Sequence, residues 1–142
     1  VDGRIASDVM LDNDLRVAEF LKGVEPFSAL NPAELTRIAE TATLRHFEPG
    51  EVIIREGDAG DTLFLISECE VEVMRHDHEV ARLGPAEFFG EVAIMSGEPR
   101  NATVIATEPV DAYIVDKDEL DAALRGSSRF RQQLRRFFLR RR

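Results

Sequence analysis

The chain has 142 residues, 44% of them hydrophobic and 32% charged, and its 27 acidic residues against 18 basic ones give a formal net charge of −9. That length fits one compact domain burying roughly two thirds of its unfolded surface, and the acidic balance excludes a general nucleic-acid binder. The single cysteine, Cys69, rules out an internal disulfide, and neither a signal peptide nor an apolar run of the ~18 residues a membrane span needs is visible. A reducing, cytoplasmic setting is expected, at the cytoplasmic face of a membrane if the chain is fused to a membrane protein. The chain opens on Val1 rather than methionine, which suggests a fragment of something longer.

Residues 1–9 carry little pattern. From Met10 to Lys22, apolar residues at helical spacing (Met10, Leu11, Leu15, Val17, Ala18, Leu21) predict an amphipathic helix ending near Gly23. Glu25-Pro26-Phe27 breaks the chain, with Phe27 and Leu30 anchoring a short helical turn. Asn31-Pro32-Ala33-Glu34 then supplies an N-cap, a proline at the first helical position and a glutamate at the third, opening a helix through Leu35, Ile38 and Ala39.

From Thr41 to Val115 the texture changes to short β-rich runs punctuated by turn residues. Eight strands are predicted: Leu44–Phe47, Val52–Arg55, Thr62–Ile66, Val71–Arg75, Val80–Leu83, Glu87–Phe89, Thr103–Ala106 and Val110–Val115. Their number and spacing imply a mainly β fold, an eight-stranded antiparallel jelly-roll barrel with helices at both ends. After Val115, Asp116 can cap a helix with Leu120, Ala123 and Leu124 on one face. Gly126-Ser127-Ser128 interrupts it, and Ser128 can cap a last helix from Arg129 to about Arg141, with Phe130, Leu134, Phe137, Phe138 and Leu139 on its apolar side. The charge is split: residues 129–142 hold seven arginines and no acid, while residues 1–128 hold all 27 acids.

The stretch from Phe88 to Val104 carries the chemistry. Gly90 allows close backbone approach at the start of a short helical turn, whose free N–H groups and dipole favour an anion. Arg100 adds a forked cation suited to two phosphate oxygens, and Glu91 fits beside an anion only if it accepts from a hydroxyl. A phosphate flanked by a sugar hydroxyl satisfies both.

In these residues the chain resembles the cyclic nucleotide-binding domain family, whose phosphate-binding cassette reads F-G-E-x-A, a short loop, then P-R-x-A-T/S-V. Phe89-Gly90-Glu91, Ala93 and Pro99-Arg100-Asn101-Ala102-Thr103-Val104 match in register. Pro49-Gly50-Glu51-Val52-Ile53 and Gly57-Asp58 with Asp61 are similar to the family's P-G-x-x-I and G-D-x-x-D strand motifs. The resemblance implies that Gly90 and Arg100 bind the cyclic phosphate and that Glu91 holds the ribose 2′-hydroxyl. Val92, Ala93, Asn101 and Ala102 complete the expected ligand-binding set around them, with Val73 and Leu83 on an apolar wall that Val71 extends. It further implies a non-catalytic regulatory domain, 1–142, made of a helical segment (1–41), a β-roll (42–115, cassette 88–104) and C-terminal helices (116–142) that move on binding. The expected ligand is cAMP, with cGMP as alternative, and the expected partner is a linked or associated effector domain outside this chain.

Two departures stand out. The family has a glycine in the turn before its fourth strand, where this chain has Glu68-Cys69-Glu70, and Asn101 follows the arginine where relatives carry alanine, serine or threonine. Among other groupings, His76 and His78 near Cys69 read as a polar hairpin tip rather than a metal site, and the isolated His46 reads as a surface residue. No serine, cysteine or histidine has the neighbours that would activate a nucleophile. The arginine-rich tail reads as a helix covering the ligand or a lead into an effector, ahead of anionic lipid and, last, nucleic acid. The rival function is a ligand-free interaction module of the same fold.

Overall fold

A computed structural model describes residues 14–142. Its elements are α1 (residues 14–22 of it described), a 3-10 turn at Phe27–Ala29, α2 (Pro32–Thr41), β1 (Thr43–Phe47), β2 (Val52–Ile54), β3 (Thr62–Glu68), β4 (Val71–Arg75), β5 (His78–Leu83), β6 (Phe88–Phe89), α3 (Glu91–Ser96), β7 (Thr103–Ala106), β8 (Val110–Asp116), α4 (Lys117–Gly126) and α5 (Ser128–Arg141). The strands form two four-stranded antiparallel sheets, ordered β1-β8-β3-β6 and β2-β7-β4-β5. Strands far apart in sequence are neighbours in both sheets, as a jelly roll requires.

Two hydrophobic cores meet at the first sheet. Between the sheets lie Phe47, Phe64, Ile66, Val71, Phe89, Val104 and Val110, with the Phe64 and Phe89 rings stacked 4.9 Å apart. On the outer face of that sheet the helices bury Val17, Leu21, Phe27, Ile38, Leu63, Leu65, Phe88, Leu120, Phe130 and Leu134. Side chains alternate along a strand, so β3 sends Phe64 and Ile66 into the barrel and Leu63 and Leu65 to the helices. That double burial is why β3 reads as an unbroken apolar run. β6 repeats the logic in two residues, with Phe88 facing the helices and Phe89 the barrel.

Local chemistry fixes most boundaries. Asn31 and Glu34 form a reciprocal capping box with Pro32 in the first turn of α2. Several expectations need correction. Asp116 stands at the N-cap of α4 without a side-chain capping bond. Ser127, not Ser128, caps α5, its hydroxyl accepting from the Phe130 N–H, so the helix starts one residue early and Gly126 ends α4. In α1, Val17, Ala18 and Leu21 are buried but Leu15 is 61% exposed, and the expected Met10 and Leu11 lie outside the described residues. Strand β5 begins at His78, because His76 and Asp77 both take positive φ (51° and 65°) and turn the chain in two residues. Cys69 also takes positive φ, 67°, where a glycine would be unstrained.

Candidate functional site

The cassette is built from the β6 end. Gly90 caps α3 with φ 101°, and a Cβ there would stand 2.6 Å from the Thr62 carbonyl oxygen, so only glycine lets the cassette turn lie this close to β3. Helix α3 buries Glu91, Val92, Ala93 and Ile94 and ends at Gly97, also left-handed.

Arg100 is 5% exposed. Its guanidinium donates to the Gly90 carbonyl (3.0 Å), the Thr62 carbonyl (3.0 Å) and the Thr62 hydroxyl (3.2 Å). Its backbone is pinned to the β2–β3 loop, the Arg100 N–H donating to the Asp58 carbonyl and the Gly57 N–H to the Arg100 carbonyl, both at 2.8 Å. Gly60 of the same loop leaves room for the side chain, since a Cβ there would meet Arg100 Nε at 2.2 Å. The glycine- and aspartate-rich loop thus seats the arginine. Burial lowers the Arg100 pKa, and the charges of Asp61 and Glu91 oppose that shift. An arginine stays cationic throughout.

Glu91 is 1% exposed and is paired with Arg141 at the end of α5, whose guanidinium also donates to the Phe88 carbonyl at 2.8 Å. The Arg141 guanidinium lies over the rings of Phe88 and Phe137, 4.8 and 5.3 Å from their centroids. Asn101 donates from its side-chain nitrogen to the Arg141 carbonyl at 2.7 Å.

A cavity of about 240 Å³ lies between the cassette and the β4–β5 hairpin. Gly90, Glu91, Val92, Ala93, Arg100, Asn101, Ala102, Val73 and Leu83 all line it, so these nine expected residues are brought to one place. Val71 is not among them, since it points into the barrel core and is fully buried there. Arg75, Arg140 and Arg141 also line the cavity and were not assigned from sequence. For the tail, the seven arginines and two adjacent phenylalanines signalled a contact but not which arginine makes it. Phe137 is half-buried against Phe88 (4.8 Å), and Phe138, also half-buried, lines a separate groove with Ile94 and Met95.

The cavity thus offers a buried cation, a buried carboxylate, backbone at a tight glycine turn and an apolar wall. The family model for the cyclic nucleotide-binding domain matches residues 44–127. The chain is 35% identical over 106 residues to a cGMP-dependent protein kinase of Eimeria tenella, covering 75% of this chain and 11% of the kinase. It is 34% identical over 105 residues to a cAMP-dependent protein kinase regulatory subunit of Hypocrea atroviridis, covering 74% of this chain and 23% of that protein. The chain therefore spans between about a tenth and a quarter of these relatives. Among solved structures, it superposes on the regulatory subunit of a cAMP-independent protein kinase A from Trypanosoma brucei with TM-score 0.81 and 25% identity, over 91% of this chain and 48% of that one. The regulatory domain of Toxoplasma gondii PKA with cAMP gives TM-score 0.78 at 23% identity, over 82% and 47%.

Proposed function

We propose that this chain, which belongs to the cyclic nucleotide-binding domain family, binds a cyclic nucleoside monophosphate in the cavity beside the cassette, cAMP in preference to cGMP. The observation that carries the reading is a buried glutamate and a buried arginine nine residues apart lining one cavity with an apolar wall. Burying both charges is expensive unless each has a partner.

In this reading Arg100, which has five N–H donors, keeps its ties to Gly90 and Thr62 and turns its remaining donors to the phosphate. Glu91 accepts the ribose 2′-hydroxyl on the oxygen Arg141 does not hold. Val73 and Leu83 pack the purine, which discriminates little between bases. Asn101 has committed its amide nitrogen to Arg141, so its carboxamide oxygen is the end left to meet a base. Because that oxygen can accept from the guanine 2-amino group, the preference for cAMP is modest, about tenfold or less, equivalent to roughly 1.4 kcal/mol.

The domain is regulatory and carries no catalysis of its own. Its segments 1–41, 42–115 and 116–142 act as one unit whose terminal helices change placement on binding, and the effector is a linked or associated domain, with a kinase as the class its relatives suggest. A second reading, a ligand-free interaction module, draws on the protein partners that Glu91 and Arg100 already have. Calorimetry with cAMP and cGMP decides between them: micromolar or tighter binding supports the sensor, no heat with either nucleotide supports the module, and a hundredfold preference for cGMP overturns the assignment of ligand.

A further inference from the structure

Among the described residues, the hydrogen bonds tying α5 to the cassette converge on one residue, Arg141. Its side chain donates to Glu91 and to the Phe88 carbonyl, and its backbone carbonyl accepts from Asn101. The helix's own hydrogen bonds run as far as that from the Arg142 N–H to the Phe138 carbonyl, and the Arg141 carbonyl accepts from Asn101 at 2.7 Å. Asn101 follows directly after Arg100 in the chain, and that backbone is itself anchored to the β2–β3 loop through Asp58 and Gly57. The donor is therefore presented from a fixed base.

Resting on the nucleotide-binding reading, we infer that Asn101 is a positioning residue. By fastening the end of α5 to the cassette, it holds the Arg141 guanidinium against Glu91 and so fixes the carboxylate that reads the ribose. An ionised carboxylate accepts on two oxygens, so the Arg141 pair leaves Glu91 able to take a hydroxyl. Without Asn101, Arg141 keeps only its side-chain bonds and its stacking on Phe88 and Phe137, and both the helix end and Glu91 loosen. The residues at 100 and 101 thus divide the work: one meets the phosphate and the next meets the helix.

The test is hydrogen exchange on the full chain without added nucleotide. Asn101→Leu keeps the size of the side chain and removes the donor. Exchange of residues 138–142 should rise about fivefold, the worth of one hydrogen bond, while residues 130–134 stay protected. Asn101→Gln, which restores a donor, should recover part of the protection. The second readout is the ratio of affinities for cAMP and 2′-deoxy-cAMP. It should fall about fivefold in Asn101→Leu, and Asn101→Leu should add nothing further on an Arg141→Met background. Unchanged exchange at residues 138–142 in Asn101→Leu overturns the inference, as does an equal loss of ribose preference with and without Arg141. If the unmodified protein binds no cyclic nucleotide, the sensor reading fails while the exchange comparison still decides whether Asn101 fastens the helix.

Discussion

Arg100 shows why one side chain can decide the chemistry of a site. No other basic residue lies within the cassette, and its guanidinium is buried with the geometry of a clamp rather than a surface charge. Replacing it by leucine should weaken cyclic nucleotide binding by at least ~2 kcal/mol, the scale of losing a charge-assisted partner. Glu91→Ala should cost less, about 1–3 kcal/mol, and should erode preference for the ribose over the 2′-deoxy ligand. Calorimetry on the two variants checks both, and an Arg100→Leu protein of unchanged affinity removes Arg100 from the site. Cys69 tells a stability story in one backbone angle. Its positive φ is strained for any residue with a Cβ, so Cys69→Gly should stabilise the fold by about 0.5–1 kcal/mol, read as a shift in the urea midpoint at constant slope.

At the scale of elements, α5 serves two ends of the molecule. Its first half is core: Phe130 and Leu134 are fully buried, and the Phe130 ring sits 5.0 Å from that of Phe27. Removing everything from Arg129 would therefore do more than loosen the ligand, and Phe130→Ala alone should cost about 3–5 kcal/mol, measured by denaturant unfolding. The second half reaches the cavity through Arg140 and Arg141. A milder coupling joins β1 to β8. His46 lies between Asp111 (2.8 Å) and Glu48 (3.2 Å), and chiefly the hydrogen bond to Asp111 raises its pKa above 6.5, with burial acting in the opposite direction. Because the folded value is the higher one, this contribution is complete below the unfolded pKa and is lost as pH rises through the folded one. Titration followed by NMR should show Asp111→Asn lowering the His46 midpoint toward 6.5, and an unmoved midpoint would assign the shift elsewhere.

For the whole molecule, binding and folding are linked. A ligand held only by the native state at a hundred times its Kd adds about 2.7 kcal/mol of stability, so thermal unfolding with cAMP at that concentration should shift upward in the native sequence and by about a third as much or less in Arg100→Leu. How much of this molecule was legible beforehand follows from the range of each signal. The eight strands and the capping box were written in local patterns of turn residues and alternation, while the nine residues that line one cavity were named through the family resemblance of the F-G-E and P-R-N-A-T stretches and the expected apolar wall. What stayed hidden was set by contacts across long separations. Arg141 meets Glu91 fifty residues away, and nothing within α5 distinguishes it from the helix's five other arginines. Ser127 beats Ser128 as a cap, and Val71 lies two residues from Val73 on the same inward face of β4, past the cavity and inside the core, distinctions of position that composition does not carry.

The paired phenylalanines of β6 bear on what kinds of change the molecule can survive. Phe88 serves the helical core and Phe89 the barrel core, and Gly90 follows at once with a backbone angle few other residues adopt. Substitutions at either ring can be absorbed by repacking within one core. A single residue inserted or deleted between Glu87 and Gly90 cannot, because strand periodicity would exchange the two faces and move the glycine off its turn. The stretch should therefore tolerate changes of letter while its spacing stays fixed, the reverse of the freedom expected in the His76–Asp77 turn, where added length projects into solvent.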